Sequence, residues 1–388
     1  MRIAAIHNFL YTKSGAQLAF LNMMLSLKKR GHEIDIYVLD ISEKLRRELR
    51  DHFFIVSMNV KDHKLLRKLL PFVDMVRIYR KYRRVAKKIN NGNYDVTFIN
   101  HYIYSPLILP CIKIPKVYYL YEPPRIYYEP PFSKKDEVIK IITFYNKYLD
   151  KFCVKYADLI LSSSDYSGKY AKKVYGKTSI TNYLGVDLDK YKKIKNVKKE
   201  NLTISVGVLQ PHKGHEFSIR SIGLIPKEKR PKLIIIAALG SKNEKKKLYK
   251  LAKKLDVNLE IKGYVPDEEF VKLHNKAKLV VIPFIREPSI EPVALACETP
   301  IVAVREGGAR ETIIHNKTGI LTNRDEKEFA KAIEYLLDNP EIAENMGKKG
   351  REWIKNNFTW EICGENLEKN LNKIIKVYST EKLGLLPE

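Results

Sequence analysis

Cysteine is scarce in this sequence, and long apolar runs are absent. The four cysteines, Cys111, Cys153, Cys297 and Cys363, are widely spaced and form no C-x-x-C pair. Their spacing argues against a zinc site and a disulfide framework and favours buried free thiols. No stretch approaches the ~20 consecutive apolar residues of a membrane-spanning helix. The first residues lack the basic head, apolar run and cleavage site of a signal peptide, so we expect a cytoplasmic protein.

Acidic residues are also in deficit. The chain has 71 Lys and Arg against 45 Asp and Glu, a formal net charge of +26. Such a surface attracts phosphates, whether on nucleic acid, on anionic lipid or on nucleotides. The alternative is the Lys and Ile enrichment of heat-adapted proteomes, which raises basic content without any partner. No RNA-binding motif accompanies the charge, so nucleic acid is not expected among the partners.

The first half of the chain shows the pattern of an open α/β sheet. At 388 residues the chain exceeds what one core usually supports, so two domains are expected. The run RIAAIHNFL predicts a buried parallel strand, LAFLNMMLSLKKRGH a helix that closes at Gly31, and EIDIYVLD a second strand. Further strands are predicted at Asp95–Asn100, Lys116–Tyr121 and Ala157–Ser164. The small-residue turn KSGAQ lies at the carboxyl end of the first strand, where such sheets bind ligands.

A second alternating series follows a polar, lysine-rich stretch, DLDKYKKIKNVKKEN, which we interpret as a linker. Its strands are predicted in LTISVGVL, KLIIIAAL, NLEIKGYV, KLVVIPF and PIVAV, with helical patterns between several of them. FTWEICGENLEKNLNKIIKVYS predicts a late helix. We therefore predict two Rossmann-like, doubly wound α/β domains at residues 1–187 and 188–358, facing a central cleft. Residues 359–388 would form a helix and tail that cross back to the first domain.

Two glycine turns in the second half are candidate phosphate sites. In SVGVLQPHKGHEF a strand ends at Gly207, Lys213 offers a cation and Gly214 lets the backbone approach a ligand closely. A helix N-terminus follows, which favours anions. In VREGGARETIIHNKTGIL a strand leads through Gly307 and Gly308 into another helix. The alternatives are a solvated surface lysine in the first motif and an ordinary strand-to-helix turn in the second.

A third motif, IPFIREPSIEPVALACETPIVAV, places two carboxylates between a strand and a short helix. Glu287 and Glu291 are suited to accept hydroxyl hydrogen bonds from a sugar or a ribose. The alternative for both is the acidic charge that a helix N-terminus favours without any ligand.

Taken in this order, these motifs resemble the retaining glycosyltransferases of family four, which have the GT-B fold. The resemblance runs from SGAQLAFLNMMLSLKKRGHEIDIYVLD to the late helix, and ACETPIVAVREGGARETIIHNKTGIL is its most specific part. YLYEPPRIYYEP is also similar to a sub-group that carries His-Glu-Pro-Pro-Arg after a strand. The resemblance implies a metal-independent transfer that retains the anomeric configuration and needs no cofactor. The donor would be a UDP- or GDP-sugar, and the acceptor a lipid-phosphate or a glycan.

The resemblance also implies roles for single residues. Lys213 falls on the family's diphosphate lysine and Glu287 on the first glutamate of its Glu-x7-Glu motif, so these two are the predicted catalytic residues. Basic side chains and backbone amides would stabilise the leaving diphosphate. The predicted donor-binding residues, near the phosphates, the ribose, the sugar or the base, are Gly15, Gly207, Lys213, Gly214, Val265, Glu287, Glu291, Gly307 and Gly308.

Three positions depart from the family pattern. Val208 stands where the family usually has an arginine or lysine, and Tyr121 where the sub-group has its histidine. Leu295 lies eight residues after Glu287, where the second glutamate belongs, and Glu291 is the candidate to replace that glutamate at the ribose. The alternative function is therefore a catalytically weak homologue that binds nucleotide sugar or membrane as an accessory subunit.

The basic segment Lys61–Asn90 interleaves cations with Leu, Val, Ile and Tyr, a composition typical of a helix lying on an anionic membrane surface. The alternative is a solvated helix whose apolar stripe packs on its own domain. Peripheral attachment to the cytoplasmic face of a membrane is the corresponding expectation. The candidates for acceptor or membrane contact come from this segment and from the Glu-Pro-Pro-Arg motif: Lys64, Arg67, Lys68, Arg77, Arg80, Lys81, Arg83, Arg84, Tyr121, Glu122 and Arg125.

Overall fold

The computed structural model describes residues 1–12, 15–60, 71–100, 103–129, 144–285 and 292–382. The chain divides into two compact units, Met1–Leu184 with Trp360–Glu388, and Gly185–Thr359. The structure divides the chain after residues 184 and 359, whereas the sequence analysis placed the boundaries after residues 187 and 358. Both units are α/β, and the prediction of two doubly wound domains is confirmed.

The first unit contains a parallel sheet of seven strands in the order β3-β2-β1-β4-β5-β6-β7. Its strands are β1 (Arg2–Leu10), β2 (Glu33–Ile41), β3 (Phe54–Ser57), β4 (Val96–Asn100), β5 (Lys116–Leu120), β6 (Leu159–Ser162) and β7 (Ile180–Thr181). Its described helices are α1 (Gly15–Lys29), α2 (Glu43–Leu49), α3 (Pro71–Asn90), the 3₁₀ helix Ser105–Cys111, α4 (Arg125–Tyr128), α5 (Phe144–Val154) and α6 (Asp165–Tyr175). The strand order reverses between β1 and β4.

Helices cover both faces of this first sheet, because side chains alternate from one face to the other along each strand. Ile3 and Ala5 of β1 join a core that includes buried residues of α1. Ala4 and Ile6 face the opposite way and join a second core, to which α3, the 3₁₀ helix and α5 contribute. Burial on both faces explains why β1 is a nearly continuous apolar run.

The basic segment Lys61–Asn90 is predicted either to lie on a membrane or to pack its apolar stripe on its own domain. Helix α3 is the part of this segment that the structure describes. Met75, Ile78, Tyr82, Val85 and Ile89 are buried in the second core of the first unit. These five residues therefore pack on their own domain and are not available to a membrane, whereas Val73 and Tyr79 of the same helix are exposed. The cationic face of the helix points away from that core.

The C-terminal helix α14 (Trp360–Lys382) packs against α1 within the first unit, as predicted. Cys363, Leu367 and Leu371 are fully buried there. Gly364 lies so close to Ser26 of α1 that a side chain at this position would overlap the serine hydroxyl. The Ser26 hydroxyl in turn donates to the Trp360 carbonyl at 2.7 Å, which fixes the start of the helix.

The second unit contains a parallel sheet of six strands in the order β10-β9-β8-β11-β12-β13. Its strands are β8 (Glu200–Val206), β9 (Lys232–Ile236), β10 (Leu259–Lys262), β11 (Ala277–Ile282), β12 (Ile301–Val304) and β13 (Gly319–Thr322). Its described helices are the 3₁₀ helix Pro211–Lys213, α7 (His215–Gly223), α8 (Lys242–Lys254), α9 (Asp267–Lys276), α10 (Pro292–Ala296), α11 (Ala309–Thr312), α12 (Glu326–Asp338) and α13 (Pro340–Asn357).

The lysine-rich stretch after Asp187 connects β7 of the first unit to β8 of the second and packs on the second unit. It is held on helix α9 by the side chain of Asn275. The backbone amide of Ile194 donates to Asn275 Oδ1 at 2.7 Å, and Asn275 Nδ2 donates to the Lys192 carbonyl at 2.9 Å. Lys190 also pairs with Asp267 at 2.7 Å.

Within the described ranges, no helix combines the length and the apolar character needed to cross a bilayer. The four cysteines are free thiols. No group of three or more His, Cys, Asp or Glu side chains is placed to hold a metal ion in the part of the chain that the structure describes.

Candidate functional site

The candidate site of the second unit lies where its strand order reverses, between β8 and β11. In open α/β sheets the loops at the carboxyl ends of two such strands diverge and leave a crevice that binds ligands. Strand β8 ends at Val206 and β11 at Ile282. The predicted phosphate motif Gly207–Gly214 follows the first of these ends directly, so the structure places it at the crevice.

Lys213 is buried at the crevice, with 9% of its surface exposed. Burial is unusual for a lysine, whose long side chain normally extends into solvent. Its Nζ lies 4.6 Å from the centre of the Phe284 ring, a cation–π distance. A Cβ atom built on Gly207 would lie 3.2 Å from Lys213 Cδ, so only glycine leaves the stem its full space. Gly207 and Phe284 therefore hold the ammonium group at the mouth of the crevice.

Gly214 is required by both conformation and space. Its φ of +65° is left-handed, and a side chain there would overlap the Pro283 carbonyl that follows β11. The amide of Ile285 donates to the His212 carbonyl at 3.0 Å. The turn after β8 and the chain after β11 are thus joined on both sides of Lys213.

Helix α7 begins directly after Gly214 and directs its N-terminus at the same crevice. The amides of a first helical turn have no partners within the helix, and the helix dipole favours negative charge there. Glu216 lies in this turn, but its carboxylate pairs with Arg220 at 2.8 Å and Lys247 at 2.6 Å, which lowers its pKa. The acidic residue is therefore neutralised by its own cations and does not cancel the field of the helix.

His215, the first residue of α7, supports the glycine turn. Its Nε2 lies 3.3 Å from the Gly207 carbonyl and its Nδ1 3.2 Å from the Ser205 hydroxyl. A carbonyl can only accept, so Nε2 carries the proton and Nδ1 accepts from the hydroxyl. Burial lowers the pKa of His215 to about 4, so the ring is neutral near pH 7.

Arg324 lies two residues after the end of β13. It is a candidate site residue that the sequence analysis did not identify. Its guanidinium donates to both carboxylate oxygens of Glu306, at 2.8 and 3.1 Å. It also donates to the carbonyls of Pro283 at 3.1 Å and Phe284 at 2.6 Å. One side chain therefore links the ends of β11, β12 and β13. The available signal was an arginine placed just after a strand, at the ligand-binding edge of the sheet.

The other predicted donor residues lie along the same edge. Gly307, with a left-handed φ of +58°, and Gly308 form the turn from β12 to α11 beside Glu306, and both are buried. Val265 is half-buried in the loop after β10, two strands from β8, which places it about 10 Å along the edge from Gly207. Val208, where the family pattern has a cation, is half-buried within the turn.

Glu287 and Glu291 lie outside the described residues, so their predicted roles remain predictions. The described chain reaches Ile285 on one side and resumes at Pro292, the first residue of α10.

In the first unit, the predicted residues Gly15 and Tyr121 lie beyond the carboxyl ends of β1 and β5, and the Tyr121 side chain reaches the start of α1. Gly15 has a φ of +48° and starts α1, and the Gln17 side chain accepts from the amides of Tyr11 and Thr12 at 2.9 Å. The Tyr121 hydroxyl lies 2.9 Å from the Ala16 carbonyl, to which it donates. Tyr121 is thus buried and fastened to the start of α1.

The remaining acceptor or membrane candidates are in two places. Glu122 and Arg125 form a two-pronged ion pair, with Arg125 Nε 3.0 Å from Glu122 Oε1 and Nη2 3.1 Å from Oε2. Arg77 pairs with buried Asp74 at 2.8 Å. Further along α3, Arg80, Arg83 and Arg84 are exposed and Lys81 is half-buried. Lys64, Arg67 and Lys68 lie outside the described residues.

Together these features make a candidate site for a phosphate-bearing ligand in the second unit. A buried lysine, a left-handed glycine and a helix N-terminus converge where a doubly wound sheet changes direction, as phosphate binding requires. Residues 187–353 match the model of the glycosyl transferases group 1 family. The resemblance drawn from the sequence is confirmed at this level.

Two relatives illustrate the match in sequence. A capsular polysaccharide biosynthesis glycosyltransferase of Staphylococcus aureus is 28% identical over 193 residues, covering 48% of this chain and 50% of the relative. A GDP-mannose-dependent phosphatidylinositol monomannoside mannosyltransferase of Mycolicibacterium smegmatis is 25% identical, covering 56% of this chain and 62% of the relative. The chain thus spans about half to three fifths of the length of these curated relatives.

Solved structures match the fold over almost the whole chain. Sucrose-phosphate synthase from Thermosynechococcus elongatus superposes with a TM-score of 0.76 at 17% identity, covering 97% of this chain and 99% of that one. The Anabaena protein HepE, solved in complex with UDP and glucose, superposes with a TM-score of 0.72 at 18% identity, covering 95% and 99%. The succession of two doubly wound domains is therefore that of GT-B glycosyltransferases.

Proposed function

We propose that the protein is a glycosyltransferase that transfers a sugar from a UDP- or GDP-sugar to a lipid-phosphate or glycan acceptor, with retention of configuration and without a metal. The observation that supports this best is buried Lys213 between Gly207 and Phe284, at the start of a helix and at the switch point of the sheet. A lysine held in this way keeps its charge directed at one place, and a diphosphate is the anion that such a place suits.

The electrostatics of this turn fit a leaving diphosphate. When the bond between the sugar and the diphosphate breaks, negative charge grows on the phosphate oxygen. The ammonium group of Lys213 and the N-terminus of α7 would stabilise that charge without reorganising, because the turn is fixed by Gly214 and His215. Arg324 would act at one remove, by holding the carbonyls of Pro283 and Phe284 in position.

Glu287 is proposed to bind the transferred sugar, and Glu291 the ribose. A carboxylate near the anomeric carbon accepts sugar hydroxyls and offsets the positive charge that develops in an oxocarbenium-like transition state. The family assignment supports these roles through the order of the motifs. The loop of Gly263 and Val265 is proposed to contact the base.

The donor base is left open by the relatives. The mycobacterial relative is named as GDP-mannose-dependent, whereas the Anabaena protein was solved with UDP and glucose. The mycobacterial relative also acts on a phosphatidylinositol monomannoside, which favours a lipid-linked acceptor. The cationic face of α3 is proposed as a contact for anionic lipid, since Arg80, Arg83 and Arg84 are exposed and Lys81 is half-buried.

The test is a transfer assay on the purified full chain with a panel of UDP- and GDP-sugars, with and without a chelator, combined with calorimetric binding of UDP and GDP. We expect one base to bind at least tenfold more tightly and its sugar to be transferred or hydrolysed. The chelator should leave the rate unchanged. Absence of binding to both diphosphates would refute the proposal.

The accessory-subunit alternative has two observations in its favour. Tyr121 stands where the sub-group has its histidine, and its hydroxyl donates a hydrogen bond to the Ala16 carbonyl. Val208 stands where the family usually has an arginine or lysine, so the phosphate turn lacks that cation. Tight diphosphate binding without transfer or hydrolysis of any donor would support this alternative.

A further inference from the structure

The outer face of helix α5 carries an unusual set of exposed aromatic side chains. Phe144, Tyr145, Tyr148, Phe152 and Tyr156, here called the aromatic stripe, keep between 43% and 75% of their surface exposed. At 100° per residue, the four that belong to the helix fall within an arc of about 100°. Tyr156 continues the four-residue spacing in the turn that follows. No other described segment gathers five exposed large apolar residues in so short a stretch.

The rings of the stripe pack on one another in two groups. The rings of Phe144 and Tyr148 lie 5.2 Å apart and those of Phe152 and Tyr156 5.3 Å apart, both in edge-to-face geometry. The opposite side of α5, with Cys153 and Val154, is buried in the second core of the first unit. The helix therefore presents aromatic rings outward because its inner side is already satisfied, and a contiguous patch of this kind marks an interaction surface.

The charges on the exposed face of α5 are of one sign. Lys147, Lys151 and Lys155 repeat along one edge of it at the same four-residue spacing. The acid of this helix, Asp150, is buried and accepts from the Tyr128 and Tyr175 hydroxyls at 2.7 and 2.8 Å. The exposed face of α5 thus offers rings and ammonium groups and no carboxylate.

Helix α3 extends this positive surface. Both α3 and α5 pack on the 3₁₀ helix Ser105–Cys111, so they lie in the same layer, on the same face of the first sheet. The outer side of α3 carries an open groove of ≈ 530 Å³ lined by Val73, Val76, Arg77, Arg80, Lys81 and Arg84. Tyr79 of α3 is also exposed.

We propose that the aromatic stripe of α5 inserts into the interfacial region of an anionic lipid bilayer. Aromatic side chains with a polar atom prefer the depth where headgroups meet acyl chains. Lysines at the rim reach the headgroup phosphates, and the cations of α3 add electrostatic attraction. The apolar stripe of α3 is buried, so α5 supplies the apolar contact that α3 cannot. The proposal extends the membrane partner of the proposed function to a new surface, and it does not depend on the transfer reaction.

The experiment compares binding of the full chain to vesicles of phosphatidylcholine alone and of phosphatidylcholine with phosphatidylglycerol, at low and high salt. The stripe variant is Phe144→Ser, Tyr148→Ser, Phe152→Ser. The matched control, on the second unit, is Leu224→Ser, Tyr335→Ser, Ile342→Ser, at residues that are also exposed. We expect the stripe variant to lose about ten- to a hundredfold in partitioning to anionic vesicles, from the apolar area that it removes, and the control to match the wild type.

Two further readouts separate this proposal from others. Tyr148→Trp should show a blue shift and quenching by brominated lipid on anionic vesicles, because an inserted ring leaves water. Binding without insertion of Trp at this position would overturn the proposal in favour of attachment by α3 alone. A wild-type dimer that the stripe variant converts to a monomer would overturn it in favour of self-association. Calorimetric binding of UDP and GDP should not change in the stripe variant, so failure of the nucleotide site and failure of the membrane proposal are distinguishable.

Discussion

The guanidinium of Arg324 meets the carboxylate of Glu306 in a two-pronged ion pair, at 2.8 and 3.1 Å, while it also donates to the Pro283 and Phe284 carbonyls. Lysine cannot reproduce four such bonds, because its ammonium is a point charge without the planar fork. We therefore expect Arg324→Lys to release the chain after β11. The apparent affinity for the nucleoside diphosphate should fall about tenfold, and the free energy of unfolding by ~1.5–3 kcal/mol.

Arg230 provides the matched control for this variant. Its guanidinium also donates to backbone carbonyls, those of Gly223, Ile225, Leu255 and Asp256 at 2.7–3.0 Å, and belongs to the same unit. Arg230→Lys should lower stability without altering nucleotide affinity. Equal losses of affinity in both variants, measured by calorimetry, would show that Arg324 acts only through stability.

Lys213 is expected to contribute a charge-assisted hydrogen bond to a diphosphate. Lys213→Met keeps an apolar stem against Gly207 and Phe284 and removes only the charge. We expect it to weaken UDP or GDP binding by ~1.5–3 kcal/mol, and Lys213→Ala by at least as much. Lys116→Met is the control, since Lys116 is also 9% exposed but starts a strand in the first unit. Unchanged affinity in Lys213→Met would move the phosphate site to Arg305 or Arg286.

The contact between Gly364 and Ser26 predicts how the C-terminal helix is fixed. A Cβ atom at position 364 would overlap the Ser26 hydroxyl, so Gly364→Ala should destabilise the first unit by ~1–3 kcal/mol, the usual cost of overpacking. Ser26→Ala alone removes the hydrogen bond to Trp360. In the double variant the overlap with the hydroxyl is removed and only the tight 2.9 Å approach to the Ser26 Cβ is left, so the two losses should be less than additive in urea unfolding. Strict additivity would argue against this contact.

Much of the fold follows from local patterns in the sequence. Strand β1 is predicted at residues 2–10 and observed at Arg2–Leu10, because a strand buried on both faces is a continuous apolar run. The edge strand β3 and the four-residue β13 are not predicted as strands: Phe54 of β3 is largely exposed, and GILT is too short to show a period. Helix α3 shows a limit of composition, since the same amphipathic stripe fits a membrane surface and a protein core.

The candidate site is only partly predictable for a different reason. Glycine turns at strand ends mark Gly207, Gly214, Gly307 and Gly308 from local sequence alone. Arg324 is separated in sequence by 18 residues from Glu306 and by about 40 residues from Pro283 and Phe284, whose carbonyls accept its other hydrogen bonds. Such partners are brought together by strand order, which a single sequence does not display.

Glu287 carries the prediction that addresses catalysis most directly. A carboxylate near the donor sugar should stabilise the transition state more than the ground state. We expect Glu287→Gln to lower turnover by ~10²-fold or more, roughly 2.7 kcal/mol, with little change in nucleotide affinity. Glu291→Gln should instead raise the donor KM if Glu291 binds the ribose. Wild-type turnover in Glu287→Gln would show that this loop has left the family geometry.

His215 gives the second unit a dependence on pH. Its buried ring has a pKa of about 4, below the ordinary 6.5, so between these values the unfolded chain binds a proton that the folded chain does not. The free energy of unfolding must then fall as the pH drops from 6.5 towards 4, by ~2 kcal/mol between pH 6.5 and 5 at 1.36 kcal/mol per unit. His274, with a pKa also lowered to about 4 by burial, adds a change of the same sign. Asp150 acts in the opposite direction, because burial raises its pKa to about 6 and the folded chain holds its proton between pH 3.8 and 6.

Urea unfolding of the wild type and of His215→Gln at several pH values isolates the effect of His215, since His274 and Asp150 are common to both proteins. The stability difference between the two should shrink as the pH falls through this window, and a difference independent of pH would mean that His215 is protonated in the folded state.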